Sequence, residues 1–205
     1  MLKDLPNSSL VQAALVSQNM EVMMHMVTPG CSETSRNKVT PDLHEAHDTA
    51  LTYLHSMSCI GQPHPYASKH IQRMKQEFEV DITIETAKVA GITYEALHDL
   101  LNFSGTELLL IDAEGQDCQI LRSMIEYCKT KNNSAWPNVI QFETQGICDI
   151  IDATNSEDNM ISTLGSLGYL VVYRGEWHSG RAREEYHTWV NFIWMDEVNQ
   201  VLLLW

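Results

Sequence analysis

At 205 residues, 44% hydrophobic and 20% charged, the chain is long enough to bury a sizeable core and has an ordinary globular composition. Thirteen Lys and Arg stand against 27 Asp and Glu, a net charge of −14 that repels a phosphate backbone and argues against general nucleic-acid or anionic-membrane binding. No run reaches the roughly 18 apolar residues of a membrane span, and the opening MLKDLPNSSL lacks the basic-then-apolar order of a secretory signal, so a cytoplasmic location is the expectation. Five scattered cysteines without a Cys-x-x-Cys fit reduced thiols.

In chain order, Ser9–Val27 holds two β-type runs, Leu10–Leu15 and Val22–Val27, that predict a hairpin or strand pair. Thr28–Pro41 reads as a loop. Asp42–Met57 reads as a helix, with Leu43, Ala46, Ala50, Leu54 and Met57 at steps of three and four. Gly61–Pro65 breaks the pattern, Ala67–Glu79 suits a solvated helix, and Val80–Val89 suits a strand or an extended approach. Thr93 can cap a helix to about Asn102 that turns Leu97, Leu100 and Leu101 inward. The run Leu108–Ile111 predicts a strand buried on both faces, as in a parallel sheet. A helix with Ile120, Leu121, Met124, Ile125 and Cys128 on one stripe follows, then a short strand, Val139–Phe142, ending at Glu143. Ser156 caps the next helix, with Glu157 and Asp158 in its first turn and Met160, Ile161, Leu164 and Leu167 inward; Gly168 stops it. Strands follow at Tyr169–Tyr173 and Thr188–Met195, joined by a polar loop. This alternation predicts one α/β domain over 1–205, a largely parallel sheet and an antiparallel terminal hairpin.

The densest polar cluster beside an apolar strand is Asp112-Ala113-Glu114-Gly115-Gln116-Asp117. In open parallel sheets ligands bind beyond the carboxyl ends of the strands, where Asp112 emerges and Glu143 ends the next strand. Three carboxylates on one rim could bind a cation, orient a ligand amine or act as a general base; equally, they could be loop carboxylates capping a helix. His44-Glu45-Ala46-His47 has a spacing of three where the zinc-protease pattern needs four, and His55, His64 and His70 complete no ligand set, so no metal centre is assigned. No Gly-x-Gly-x-x-Gly, phosphate loop or Gly-x-Ser-x-Gly is present. The apolar Val201–Trp205 needs burial on the sheet or a partner.

The segment ELLLIDAEGQDCQILRSM resembles the signature of FkbM-type methyltransferases, in which a buried strand runs into a Lys-Ile-Asp-Val-Glu-Gly-type turn and then a helix. Ile111, Asp112, Glu114 and Gly115 match directly; Leu110 and Ala113 stand where the family often has lysine and valine. ITYEALHDLL, PNVIQFET and ISTLGSLGYLVVYRG resemble the flanking helix, next strand and following helix-strand unit, and SLVQAALVSQNMEVMMHMV resembles the family's third strand with its Ala-Ala-Leu. The resemblance spans Ser9 to Arg174, with an insertion at about 42–78. It implies a Rossmann-like class I sheet in the order 3-2-1-4-5-7-6 and S-adenosylmethionine as donor, usually to oxygen of a small-molecule or glycan-like acceptor. It further implies Asp112, Glu114 and Glu143 as catalytic and Asp112 and Ala14 as cofactor-binding. The family's first two strands and glycine-rich turn are not in this sequence, so an incomplete, N-terminally truncated sheet is the expectation. The Leu108–Ile111 strand would then be an exposed edge through which the chain could self-associate. Three functions follow: methyl transfer, a non-catalytic remnant acting in protein–protein interaction, and a metal hydrolase built on Asp112, Glu114 and Glu143.

Overall fold

In a computed structural model of the chain, the residues described are 13–18, 20–29, 57–78, 82–102, 105–131, 135–144, 146–152, 154, 156–178 and 186–194. The helix read over Asp42–Met57, apart from its last residue, and the apolar tail lie outside them. The chain is α/β and divides into two compact units, residues 1–92 and 93–205.

Among the described residues, the first unit holds a four-stranded sheet and one helix. Its strands are β1 (Ala14–Leu15), β2 (Met20–Pro29), β3 (Cys59–Ile60) and β4 (Ile82–Ile92), in the order β1-β4-β2-β3. β2 and β4 form a ten-pair antiparallel ladder from Met20↔Gly91 to Pro29↔Ile82, and β1 lies parallel to β4. The two early β-runs are therefore not a hairpin: β4 lies between them. β2 also continues to Pro29, into the segment read as loop. Helix α1 (Ala67–Phe78) is not solvated all round, because Ala67 and Met74 pack with Val27 and Met57, flanked by Ile71, Ile82 and Ile84. Apolar positions at steps of three and four, too few to stand out in a polar segment, are enough to bury one face.

The second unit opens with α2 (Tyr94–Leu101), capped as expected: Thr93 Oγ1 accepts from Ala96 N at 3.1 Å. Its anchor is Tyr94, buried against Tyr127, with its amide donating to Ser123 Oγ at 3.4 Å. Leu100 points outward at 65% exposure, against expectation. β5 (Leu108–Ile111) and β6 (Val139–Thr144) run parallel, paired Leu108↔Val139 to Ile111↔Phe142. Between them α3 (Asp117–Lys129) buries every position of the expected stripe. After β6 come the short α4 (Ile147–Ile151), α5 (Glu157–Ser166), β7 (Tyr169–His178) and β8 (Tyr186–Trp194). Ser156 Oγ accepts from Asn159 N at 3.1 Å, Met160 and Leu164 are buried, and Gly168 ends the turn with φ 105°.

The sheet order is β5-β6-β8-β7. The terminal hairpin is antiparallel as expected, but β8 inserts antiparallel beside β6. Among the described residues of this sheet only the β5–β6 pair is parallel, so the described sheet is not largely parallel. β7 takes up five residues of the segment read as polar loop. β5 forms one edge, and Leu108 and Leu110 are 56% and 57% exposed. Only Ile111 of the strand is buried, so the strand is not buried on both faces: a continuous apolar run does not say which of its positions other layers cover.

Candidate functional site

The parallel register of β5 and β6 sets the site. Ile111 pairs with Phe142, so Asp112 and Glu143 each follow a matched pair and arrive at the same rim. Asp112 is exposed, Glu114 half-buried and Glu143 buried. One carboxylate oxygen from each lies within 4.8 Å of the others. The three residues the sequence singled out are thus brought together. Ala14 lies in the first unit, in β1 opposite Gly91.

The turn from β5 into α3 is made by two consecutive left-handed residues, Glu114 (φ 47°) and Gly115 (φ 93°). For a non-glycine residue such as Glu114 this costs on the order of 1–3 kcal/mol. Gly115 is irreplaceable on two counts: its φ, and the lack of room for a Cβ, which would overlap the Ile147 side chain and lie 2.6 Å from Ile151 Cδ1. This close approach packs α4 onto the turn.

Behind the rim sits a residue the sequence reading gave no role. Asp117 opens α3 and is 1% exposed. Its Oδ2 accepts from Gly115 N at 3.2 Å; its Oδ1 has no hydrogen-bond partner among the described residues. Burial pushes its carboxyl up to about 7, and the charge of Glu143 adds to this, while the N–H groups of Asp117, Gly115 and Ala113 oppose it. Asp117 and Glu143 line one narrow crevice with Gly115, Ile147, Cys148 and Glu157. Its signal in the sequence was an acid two residues after a glycine at a helix start, a pattern shared with ordinary capping acids.

The crevice wall is held by a pair of backbone contacts. Gly146 N donates to Glu157 Oε1 at 2.8 Å, and Glu157 N donates to Asp149 Oδ1 at 2.8 Å. Glu157 therefore acts beyond the helix-end role read for it, tying the start of α5 to the start of α4. Cys118 and Cys148 are buried side by side; a hydrogen bond with Cys148, then burial, push the Cys118 thiol far up, which makes it a poor nucleophile. His64 and His70 are buried in the first unit; His44, His47 and His55 lie outside the described residues. Among the described residues, Asp112, Glu114 and Glu143 are the only three His, Cys, Asp or Glu side chains close enough to share one ion.

Compared with protein-family models, with curated proteins and with solved structures, the chain matches none. Among the described residues no helix is long and apolar enough to cross a membrane.

Proposed function

We propose that residues 93–194 form the acceptor-side half of an S-adenosylmethionine-dependent methyltransferase fold, acting on a hydroxyl of a small-molecule or glycan-like acceptor. The observation that carries this reading is the strand order β5-β6-β8-β7, with β5 and β6 parallel and the last strand antiparallel between the two before it. This agrees with the 4-5-7-6 end of the Rossmann-like order that the resemblance implies. The carboxylate rim stands at the carboxyl ends of β5 and β6, where open α/β sheets bind ligands. Its negative charge suits a donor carrying a sulfonium and an ammonium.

The donor supplies an electrophilic methyl group. This chain's residues hold the acceptor: Glu114 orients its hydroxyl, and Asp112 or Glu143 takes the proton as the oxygen becomes bonded to carbon. Alignment of the two reactants supplies much of the rate in such a transfer, so a strongly basic group is not required. Calorimetric titration of the chain with S-adenosylhomocysteine tests the reading. Saturable binding that Asp112→Ala abolishes supports it; no heat at millimolar ligand from folded protein refutes it.

A second reading, an interaction module, is favoured by β5, which pairs on one side only among the described residues and leaves Leu108 and Leu110 half-exposed. Light scattering after size exclusion tests it, with association that Leu110→Lys abolishes as the supporting result and a monomer without partners as the opposing one.

A further inference from the structure

Asp117 is sealed from water. It is 1% exposed, its Oδ2 is held by Gly115 N, and its Oδ1 is buried without a hydrogen-bond partner among the described residues. The crevice it lines is too narrow to hold a water molecule, so solvent does not satisfy that oxygen while the crevice is closed. The titratable groups around it offer no compensating charge. Glu143 lines the crevice from β6, Glu157 from α5 and Cys148 from α4, and Cys118 follows it on α3; no lysine, arginine or histidine lines the crevice among the described residues. An ionised Asp117 there lacks both hydration and a counter-charge, and a protonated one carries no charge to desolvate. Burial, with the Glu143 charge adding to it, accordingly raises this carboxyl to about 7.

The wall that keeps water out is slight. α4 is five residues long, and only Ile147 and Cys148 of it are buried. It is held by its Ile147 and Ile151 side chains against Gly115, and by Glu157, which accepts from Gly146 N and donates its own amide to Asp149 Oδ1. α3, by contrast, buries nine of its 13 residues. Elements with few buried contacts open at the least cost, so α4 is the part of the enclosure that can yield while α3 stays folded.

We propose that α4 is a pH-dependent gate: ionisation of Asp117 favours a form in which α4 lifts from the Gly115 turn and admits water to Asp117 and Glu143. In the open form the hydrated carboxyl titrates near its ordinary value of 3.8. Below about pH 4 both forms keep the proton and the closed form has its full advantage. Between about pH 4 and pH 7 the open form releases the proton and the closed form retains it, so the opening equilibrium rises about tenfold per pH unit, up to about 1000-fold in all; above about pH 7 it levels off. The gate goes beyond methyl transfer and needs no donor or acceptor. Under the methyltransferase reading it would set the pH at which Glu143 reaches an acceptor.

Amide hydrogen exchange of the ligand-free chain from pH 4 to pH 8 tests the gate, with every rate divided by that of an unstructured peptide at the same pH to give a protection factor. The probes are the amides of Ile150 and Asp152, bonded to Gly146 O at 3.3 Å and Cys148 O at 2.9 Å. The buried Leu121, Met124 and Ile125 of α3 are the reference. Protection at Ile150 and Asp152 should fall at least about 100-fold from pH 4 to pH 8, level off near pH 7, and stay below that of α3 throughout. In Asp117→Asn it should change less than about threefold. Protection independent of pH in the parent overturns the gate, as does protection equal to that of α3 at every pH, which would mean exchange by global unfolding alone. Full pH dependence in a folded Asp117→Asn also overturns it. Ile147→Ala is the second variant: it should lower protection at Ile150 and Asp152 more than in α3, and equal lowering in both overturns the independent opening of α4. No ligand enters these measurements, so their failure leaves the methyltransferase reading standing, and absence of S-adenosylhomocysteine binding leaves the gate standing.

Discussion

Replacing Asp117 by Asn should flatten one component of the stability–pH curve. The carboxyl is buried and pushed from 3.8 to about 7, with Glu143 contributing; Glu157 lines the same crevice, and the Cys118 thiol feels the Asp117 charge. Below about pH 4 the folded and unfolded chains both carry the proton, and its stabilising contribution is complete. As pH rises from there, the unfolded chain releases the proton while the folded protein keeps it, so stability falls. Above about pH 7 both states are ionised and the loss is complete. The rise of about 3 in pKa, at about 1.4 kcal/mol each, corresponds to about 4 kcal/mol as an order of magnitude. Asn is nearly isosteric and has no charge to lose. The stability difference between Asp117→Asn and the parent should therefore shift in favour of the variant by about 4 kcal/mol between pH 4 and pH 8. Urea unfolding of both proteins across that range, with EDTA present, measures it; subtraction cancels the groups common to both. A difference constant to within about 1 kcal/mol would refute the reasoning.

Gly115→Ala combines an unfavourable left-handed φ with overlap on Ile147, and should cost about 2–5 kcal/mol in urea unfolding; a loss under about 1 kcal/mol would mean the turn relaxes freely. Thr93→Ala and Ser156→Ala each remove an observed cap and should each cost about 1 kcal/mol, adding independently in the double variant. Leu164→Ala should lower stability by about 2–5 kcal/mol, whereas Leu100→Gln should stay within about 0.5 kcal/mol. Equal losses at Leu164 and Leu100 would contradict the orientations of α5 and α2.

Much of the second unit was legible because its signals are local. Helix caps need one hydroxyl and an amide three residues on, and both Thr93 and Ser156 behave as read. The α3 stripe is a matter of periodicity, and all five of its residues are buried. The rim was legible too: an acid ending each of two consecutive strands lands on one side whenever the strands are parallel, so Asp112, Glu114 and Glu143 converge. The sequence by itself determined these elements and the identity of the rim, because backbone hydrogen bonding and side-chain period act over a few residues.

What lay beyond the sequence depends on partners distant in the chain. Leu108–Ile111 is apolar at every position, but which strands pair beside it and what packs on its faces are set by distant parts of the chain; among the described residues β5 pairs with β6 alone, and Leu108 and Leu110 are exposed. Likewise β4 separates β1 from β2, although the closeness of the two β-type runs in the sequence pointed to a hairpin or strand pair. Asp117 looked like any first-turn acid. Only the packing of α4 and α5 around its carboxyl, and the approach of Glu143 from the neighbouring strand, removed water from it and raised its proton affinity. Desolvation is a property of the whole enclosing surface, and no stretch of sequence carries it; tertiary structure alone decided which acid is the buried one.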